Sequence, residues 1–298
     1  MGSFSIVGLI GKRRDPSLNP LIASLCELLQ ARGCEVLVER SKASSAIDPR
    51  LLVETEEIAR RADLAIVVGG DGTLLGVGRT LAAAQVPILG INQGRLGFMV
   101  DIPPEGMQDA ICAVLDGDHD SEERLILSAT LERNGEKDRK VRTSVNDVVI
   151  RNQATIRMIE FETWMDREFI SSHRADGMII SSPTGSSAYA LSGGGPLLHP
   201  ALSAFSLVPI CPHTLSDRPI VVCGEQRIRV IVRGSQRAQA MVTFDGQLSE
   251  TLDPGDVVEV TRAPYALKLI HPPGYSYFSI LRNKLRWGRG PDKPAERA

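Results

Sequence analysis

Asp71 stands among three glycines, Gly69, Gly70 and Gly72, between the apolar run Leu64-Ala65-Ile66-Val67-Val68 and Thr73. A helical pattern from Leu74 to Ala84 follows, then a second apolar run, Pro87-Ile88-Leu89-Gly90-Ile91-Asn92. Strand, glycine turn, helix and strand in that order put a carboxylate at the carboxyl end of a buried strand, where open α/β sheets bind ligands. The glycines admit positive φ and let a phosphate approach the backbone. Thr73 is placed to cap the helix, whose first amides favour anions. A carboxylate facing phosphate is repulsive unless it has a task. Accepting a proton from an attacking hydroxyl, or holding a cation, would be such a task.

Five further clusters carry polar groups in suggestive settings. Asn92-Gln93-Gly94-Arg95-Leu96-Gly97-Phe98 is a glycine-bearing loop after the second strand, suited to lining the same crevice. Asn146-Asp147 lies between Val145 and Val148-Val149-Ile150, and a buried polar pair in a strand needs partners that ligand hydroxyls would supply. The others are Ser172–Gly177 with Arg174 and Asp176, the serine- and glycine-rich stretch Ser181–Pro196, and Phe244-Asp245-Gly246-Gln247.

Plainer readings stand beside these. Asp245-Gly246 alone reads as a turn. Arg174 and Asp176 read as a surface pair contributing about 0–1 kcal/mol. The serines after Pro183 read as a helix cap. Asn146-Asp147 resists such an account best. Gly8-Leu9-Ile10-Gly11-Lys12 is not a P-loop, because it lacks the four-residue spacing and Arg13 replaces Ser or Thr. No G-x-G-x-x-G follows the first strand, which disfavours an ordinary Rossmann dehydrogenase. His173, His199, His213 and His271 lack metal-ligand spacing and read as structural.

These groups need a scaffold, and the 298 residues suffice for two domains with sizeable cores. About the first 120 residues alternate strand and helix patterns, the mark of a parallel sheet covered by helices. Strands are expected at Phe4–Ile10 and Glu35–Glu39, helices at Pro20–Arg32, Arg50–Arg61 and Met107–Leu115. From Leu125 the texture becomes short β-type runs, one of them Arg142–Ile150, separated by turns such as Asn134-Gly135 and Asp253-Pro254-Gly255. This predicts an α/β domain over residues 1–123 and an all-β sandwich over 124–274. Residues 275–298, helical from Ser276 to Leu285, are expected to pack back on the first domain.

A hydrophobic content of 43% and a formal net charge of −2 fit a soluble globular protein and argue against a nucleic-acid surface. No apolar stretch reaches the roughly 20 residues that span a bilayer. The five cysteines show no C-x-x-C spacing, so neither a disulfide framework nor a zinc site is indicated. Cys26 and Cys112 read as core thiols. A cytoplasmic protein is expected.

Taken together, the clusters resemble the NAD kinase family, in its proteobacterial form, from Leu64 to about Trp287. The resemblance rests on Gly69-Gly70-Asp71-Gly72-Thr73, the Gly94-x-Leu96-Gly97-Phe98 loop, Asn146-Asp147, Asp176-Gly177 and Thr184-Gly185-Ser186-Ser187-Ala188-Tyr189. It continues through Ser192-Gly193-Gly194-Gly195-Pro196 and Ile270-His271-Pro272. It implies a Rossmann-like N-terminal α/β domain and a C-terminal β-sandwich with the nucleotide between them. It also implies phosphoryl transfer from ATP to the 2′-hydroxyl of the adenosine ribose of NAD, a divalent cation, usually magnesium, and a homo-oligomer, dimer or tetramer.

By position, Asp71 matches the family's proton acceptor, and Gly70 and Gly72 would leave room for the nucleotide. Asn146 and Asp147 match positions that bind ribose hydroxyls. Asp176, Ala188 and Tyr189 match positions around adenine, with Ser187 and Ser192 completing the polar lining. Arg157 and Arg174 match positions near phosphate or nicotinamide, the latter associated with preference for NAD over NADH. Gln247 matches a further nucleotide contact. A lipid or sphingoid kinase with the same turn would not explain Asn146-Asp147 or the Tyr189 segment. A non-catalytic dinucleotide binder would gain little from Asp71.

Overall fold

A computed structural model of the chain describes residues 4–12, 15–40, 47–94, 97–153, 158–214, 216–234 and 240–287. Arg13, Arg95, Leu96 and Arg157, all invoked above, lie outside the described residues. The chain divides into two units, one holding everything up to Glu122 together with Leu269 onward, the other Glu123–Lys268.

The first unit begins β1 (Ile6–Gly11), α1 (Asn19–Ala31), β2 (Glu35–Glu39), β3 (Leu52–Val53) and α2 (Thr55–Arg61). It continues with β4 (Leu64–Gly69), α3 (Asp71–Ala83), β5 (Ile88–Asn92) and α4 (Met107–Leu115). These strands pair in parallel in the order β3-β2-β1-β4-β5. The order reverses between β1 and β4, a topological switch point. β4 and β5 are buried along their whole length, which is why each reads as an unbroken apolar run. Ile22, Leu25, Cys26 and Leu29 of α1 join Val7, Leu64, Ile66 and Leu89 in the core.

The helix expected over Arg50–Arg61 begins only at Thr55. Leu52 and Val53 instead pair with Val38 and Glu39 as an edge strand, so sheet hydrogen bonds override the local helical period. Cys112, read above as a core thiol, is half-buried; Cys26 is buried, and its thiol is pushed up to about 11 by that burial.

The second unit is a sandwich of two antiparallel sheets. Its elements are β6 (Asp120–Arg133, entering from the first unit), β7 (Glu136–Lys137), β8 (Arg142–Ser144), β9 (Asp147–Asn152), β10 (Ile159–Met165), β11 (Glu168–Ala175) and β12 (Gly177–Ser181). After the short α5 (Tyr189–Ser192) come β13 (Ala204–Ile210), β14 (Ile220–Cys223), β15 (Ile228–Arg233), β16 (Ala240–Phe244), β17 (Leu248–Leu252) and β18 (Val257–His271). One sheet has the order β14-β13-β12-β9-β16-β17; the other runs β11-β10-β15-β18 and continues to β6 and β8. Alternate residues of both sheets meet in one core, among them Leu127, Ile150, Phe161, Ile180, Phe205, Val230, Phe244 and Val260.

The last residues of β18 return to the first unit, where Leu269 and Ile270 pair in parallel with Ile88 and Leu89. α6 (Tyr277–Leu285) follows, capped by Ser276, whose Oγ accepts the N–H of Ser279.

Candidate active site

In the first unit the β4–α3 connection sets Asp71 as the first residue of the helix, with Gly70 as its N-cap in extended backbone (φ −122°, ψ −177°). This corrects the expectation for Thr73, which lies inside the helix. The glycines also differ from expectation, because none of Gly69, Gly70 and Gly72 takes positive φ. Their contribution is space. A Cβ on Gly69 would stand 2.5 Å from Thr73 Oγ1, whereas nothing lies within 4 Å of one on Gly70 or Gly72.

The Asp71 carboxylate is held by three successive amides of the loop after β5. Phe98 N–H donates to Oδ2 at 2.8 Å, and Met99 and Val100 donate to Oδ1 at 3.1 and 3.2 Å. A carboxylate offers about four lone-pair sites, so one remains, on Oδ2. Two glycines permit this packing. A Cβ on Gly97 would collide with Asp71 Oδ1 and lie 2.9 Å from both its Cγ and Val100 O. One on Gly90 would lie 3.0 Å from Val100 Cα. The loop is pinned by Gln93 N–H to Gly69 O at 2.8 Å and Asn92 N–H to Ile102 O at 2.7 Å. Asn92 Nδ2 donates to Gly94 O, while its buried Oδ1 has no hydrogen-bond partner among the described residues.

In the second unit a groove of about 450 Å³ is lined by Asn146, Asp147, Val149, Arg151, Ala188, Tyr189, Thr243, Asp245 and Gly246. The single strand expected over Arg142–Ile150 is broken at Val145-Asn146, between β8 and β9. Asp245, in the β16–β17 turn, explains the break: its carboxylate accepts the N–H groups of Val145, Asn146 and Asp147 at 3.0, 2.7 and 3.3 Å. Its own N–H donates to Asp147 O at 3.0 Å. Asp245 (φ 51°) and Gly246 (φ 64°) both adopt left-handed backbone, which the Asp-Gly pair tolerates.

Asn146 is also pressed from the Thr184–Ser187 turn. Its carbonyl accepts Ser182 N–H at 2.9 Å, and a Cβ on Gly185 would stand 2.7 Å from its Cα. Asp147 is 6% exposed. Burial, with the Asp245 charge adding to it, pushes its carboxyl up to about 7.

Of the residues singled out from sequence, Asn146, Asp147, Ala188 and Tyr189 come together in this groove. Arg174 on β11, Asp176 between β11 and β12, Ser187, Ser192 and Gln247 are not among its lining residues. Arg174, Asp176, Ser192 and Gln247 are exposed, and Ser187 Oγ donates to Thr184 O at 3.1 Å. Asp245, Thr243, Val149 and Arg151 line the groove but were not singled out as site residues. The period-2 alternation of β9, which puts Val149 and Arg151 on the face of Asp147, is the signal for two of them. Thr243 pairs in register with Val149.

Among the described residues, no three His, Cys, Asp or Glu side chains gather into a group able to hold a metal ion. No helix there is long and apolar enough to cross a membrane.

Comparison with known proteins identifies the family of the chain. Residues 7–119 match the ATP-NAD kinase N-terminal domain family and residues 145–272 the ATP-NAD kinase C-terminal domain family. The chain is 45% identical over 285 residues to an NAD kinase of Shewanella oneidensis, covering 96% of this chain and 97% of that one. Its fold is similar to that of yeast NADH kinase solved with NADH, at TM-score 0.88 and 22% identity, over 97% of this chain and 90% of that one. It also resembles an Archaeoglobus fulgidus NAD kinase solved with ATP, at TM-score 0.74 and 25% identity, over 94% and 98%. The chain belongs to the NAD kinase family of ATP-dependent kinases.

Proposed function

We propose that the chain transfers the γ-phosphoryl group of ATP to the 2′-hydroxyl of the adenosine ribose of NAD, giving NADP, with Asp71 as proton acceptor. The observation that carries this is the state of Asp71. Three amides fix its carboxylate and leave one lone pair on Oδ2 for a hydroxyl hydrogen. The O–H bond breaks as the oxygen bonds phosphorus, the proton passes to Oδ2 and ADP leaves. The transition state of such transfers is loose, so orientation contributes more than base strength.

Asn146 and Asp147 hold ribose hydroxyls, Tyr189 stacks on adenine beside Ala188, and Ser187, Ser192, Asp176 and Gln247 extend the polar lining. Gly70 and Gly72, open on their Cβ sides, leave room for the nucleotide. Arg174 bears on the charged end of the dinucleotide. Among the described residues no three His, Cys, Asp or Glu side chains gather, so an all-protein metal cage is not part of this reading, while Asp71, Asp147 and the triphosphate each offer oxygen ligands. The divalent cation, magnesium in our reading, would arrive with the triphosphate oxygens of ATP. Assembly as a dimer or tetramer and a cytoplasmic setting belong to the same reading.

A coupled assay with NAD and Mg-ATP, reading NADP through an NADP-specific dehydrogenase, tests the proposal. Time-dependent NADP is expected, and its absence rejects the reading.

A further inference from the structure

His271 ends β18 and is 1% exposed, with an acid on either side. Its Nδ1 lies 3.3 Å from Asp101 Oδ2 and its Nε2 3.1 Å from Glu122 Oε1. An ionised carboxylate only accepts hydrogen bonds, so an acid at each ring nitrogen favours hydrogen on both and with it the imidazolium form. Tyr275 covers it, the rings stacked at 3.6 Å and 13°, while its hydroxyl donates to the same Glu122 oxygen at 3.1 Å. Burial alone would pull the histidine pKa down. The hydrogen bonds to Asp101 and Glu122 outweigh that and hold it above the ordinary value.

Asp101 directly follows Val100, whose amide, with that of Met99, holds Asp71 Oδ1. The same loop closes on itself through Gly97 N–H to Val100 O at 2.9 Å and lies against Gly90 of β5. Leu269 and Ile270 pair with Ile88 and Leu89, so the register carried one residue further brings His271 level with Gly90. The end of β18 therefore grips the loop that grips Asp71.

We propose that His271 is a positioning residue for phosphoryl transfer, fixing through Asp101 the Met99–Val100 amides that aim the Asp71 carboxylate. The inference rests on the reading of Asp71 as proton acceptor. A histidine serving the fold alone would lower stability and scale activity by the same factor whatever stood at position 71. A positioning residue acts only through a working Asp71.

The test is a double-mutant cycle of His271→Gln with Asp71→Asn, on full-length chains, with kcat and KM for NAD measured separately. His271→Gln alone is expected to lower kcat by about tenfold or more while KM moves less than about twofold. In the Asp71→Asn background it should change kcat by less than about twofold. An undiminished loss in that background overturns the proposal, as does a normal kcat for His271→Gln. Should His271→Gln not fold, Asp101→Asn carries the same cycle with the same expected and overturning outcomes. Near-wild-type turnover of Asp71→Asn alone would instead remove the acceptor reading, and this inference with it.

Discussion

The carboxylate of Asp245 accepts the backbone N–H of Asn146 at 2.7 Å, across 99 residues of sequence. It holds the amides of Val145 and Asp147 as well, at 3.0 and 3.3 Å. Asp71 does the same to Phe98, Met99 and Val100. Each unit thus uses one aspartate to freeze a three-residue backbone run by charge-assisted hydrogen bonds, which are shorter and stronger than neutral ones. In one run the anchored segment carries the groove residues; in the other the anchoring carboxylate is itself the proposed reactant.

From the first arrangement we expect Asp245→Ala to release Val145–Asp147 and weaken NAD binding by about tenfold or more, at a cost of about 2 kcal/mol in stability. Asp245→Asn keeps one acceptor oxygen and should fall between the variant and the native chain. Calorimetric titration with NAD and thermal melts check both. Unchanged affinity in Asp245→Ala would show that the amide run does not hold the ligand.

Asp147 gives a pH dependence of defined sign. Its carboxyl is raised from an ordinary 3.8 to about 7 by burial and by Asp245, so the fold favours its protonated form. That contribution is fully present below the unfolded value and is lost as pH rises through the folded one. The ligand-free native chain should therefore lose urea resistance between about pH 4 and pH 7, and Asp147→Asn should lose less across the same window. Parallel urea midpoints for the two chains would remove Asp147 as the group responsible.

The fold was legible wherever burial on two faces wrote continuous apolar runs, as in Leu64–Gly69 and Ile88–Asn92. It was less legible at β11, where Ser171, Ser172 and Arg174 stay accessible and only His173 and Ala175 point to a buried face. Asp71 could be picked out because its glycine neighbours leave few other reasons for a carboxylate. Asp245 could not be ranked above a turn, because an Asp-Gly pair has the same local pattern whether or not its side chain reaches a distant strand. Gly97 posed a similar difficulty. Its value lies in the missing Cβ beside Asp71, 26 positions away, and no spacing rule encodes that contact.

Gly97→Ala follows from this contact. The added methyl would overlap Asp71 Oδ1 and stand 2.9 Å from Val100 O, so either the carboxylate or the loop must shift. We expect kcat to fall about tenfold or more with the melting temperature nearly unchanged, since misplacements of about 1 Å can cost about a hundredfold. Steady-state kinetics together with a thermal melt decide it, and normal kcat would mean that the position of Asp71 tolerates displacement.

Asp71→Asn tests base and anchor at once. The amide keeps one oxygen, which can still serve Met99 and Val100, but its NH2 then faces the Phe98 N–H in place of the Oδ2 acceptor. Two donors confronting each other leave that amide unsatisfied, at about 1–3 kcal/mol. The lone pair reserved for the acceptor hydroxyl is lost in the same step. Turnover should therefore drop at least about a hundredfold, the usual scale for general-base loss, while NAD still binds. Stopped-time NADP assays and calorimetry separate the two effects. Loss of binding together with turnover would assign Asp71 to holding the loop, whereas intact binding with near-normal turnover would leave the proton without this acceptor.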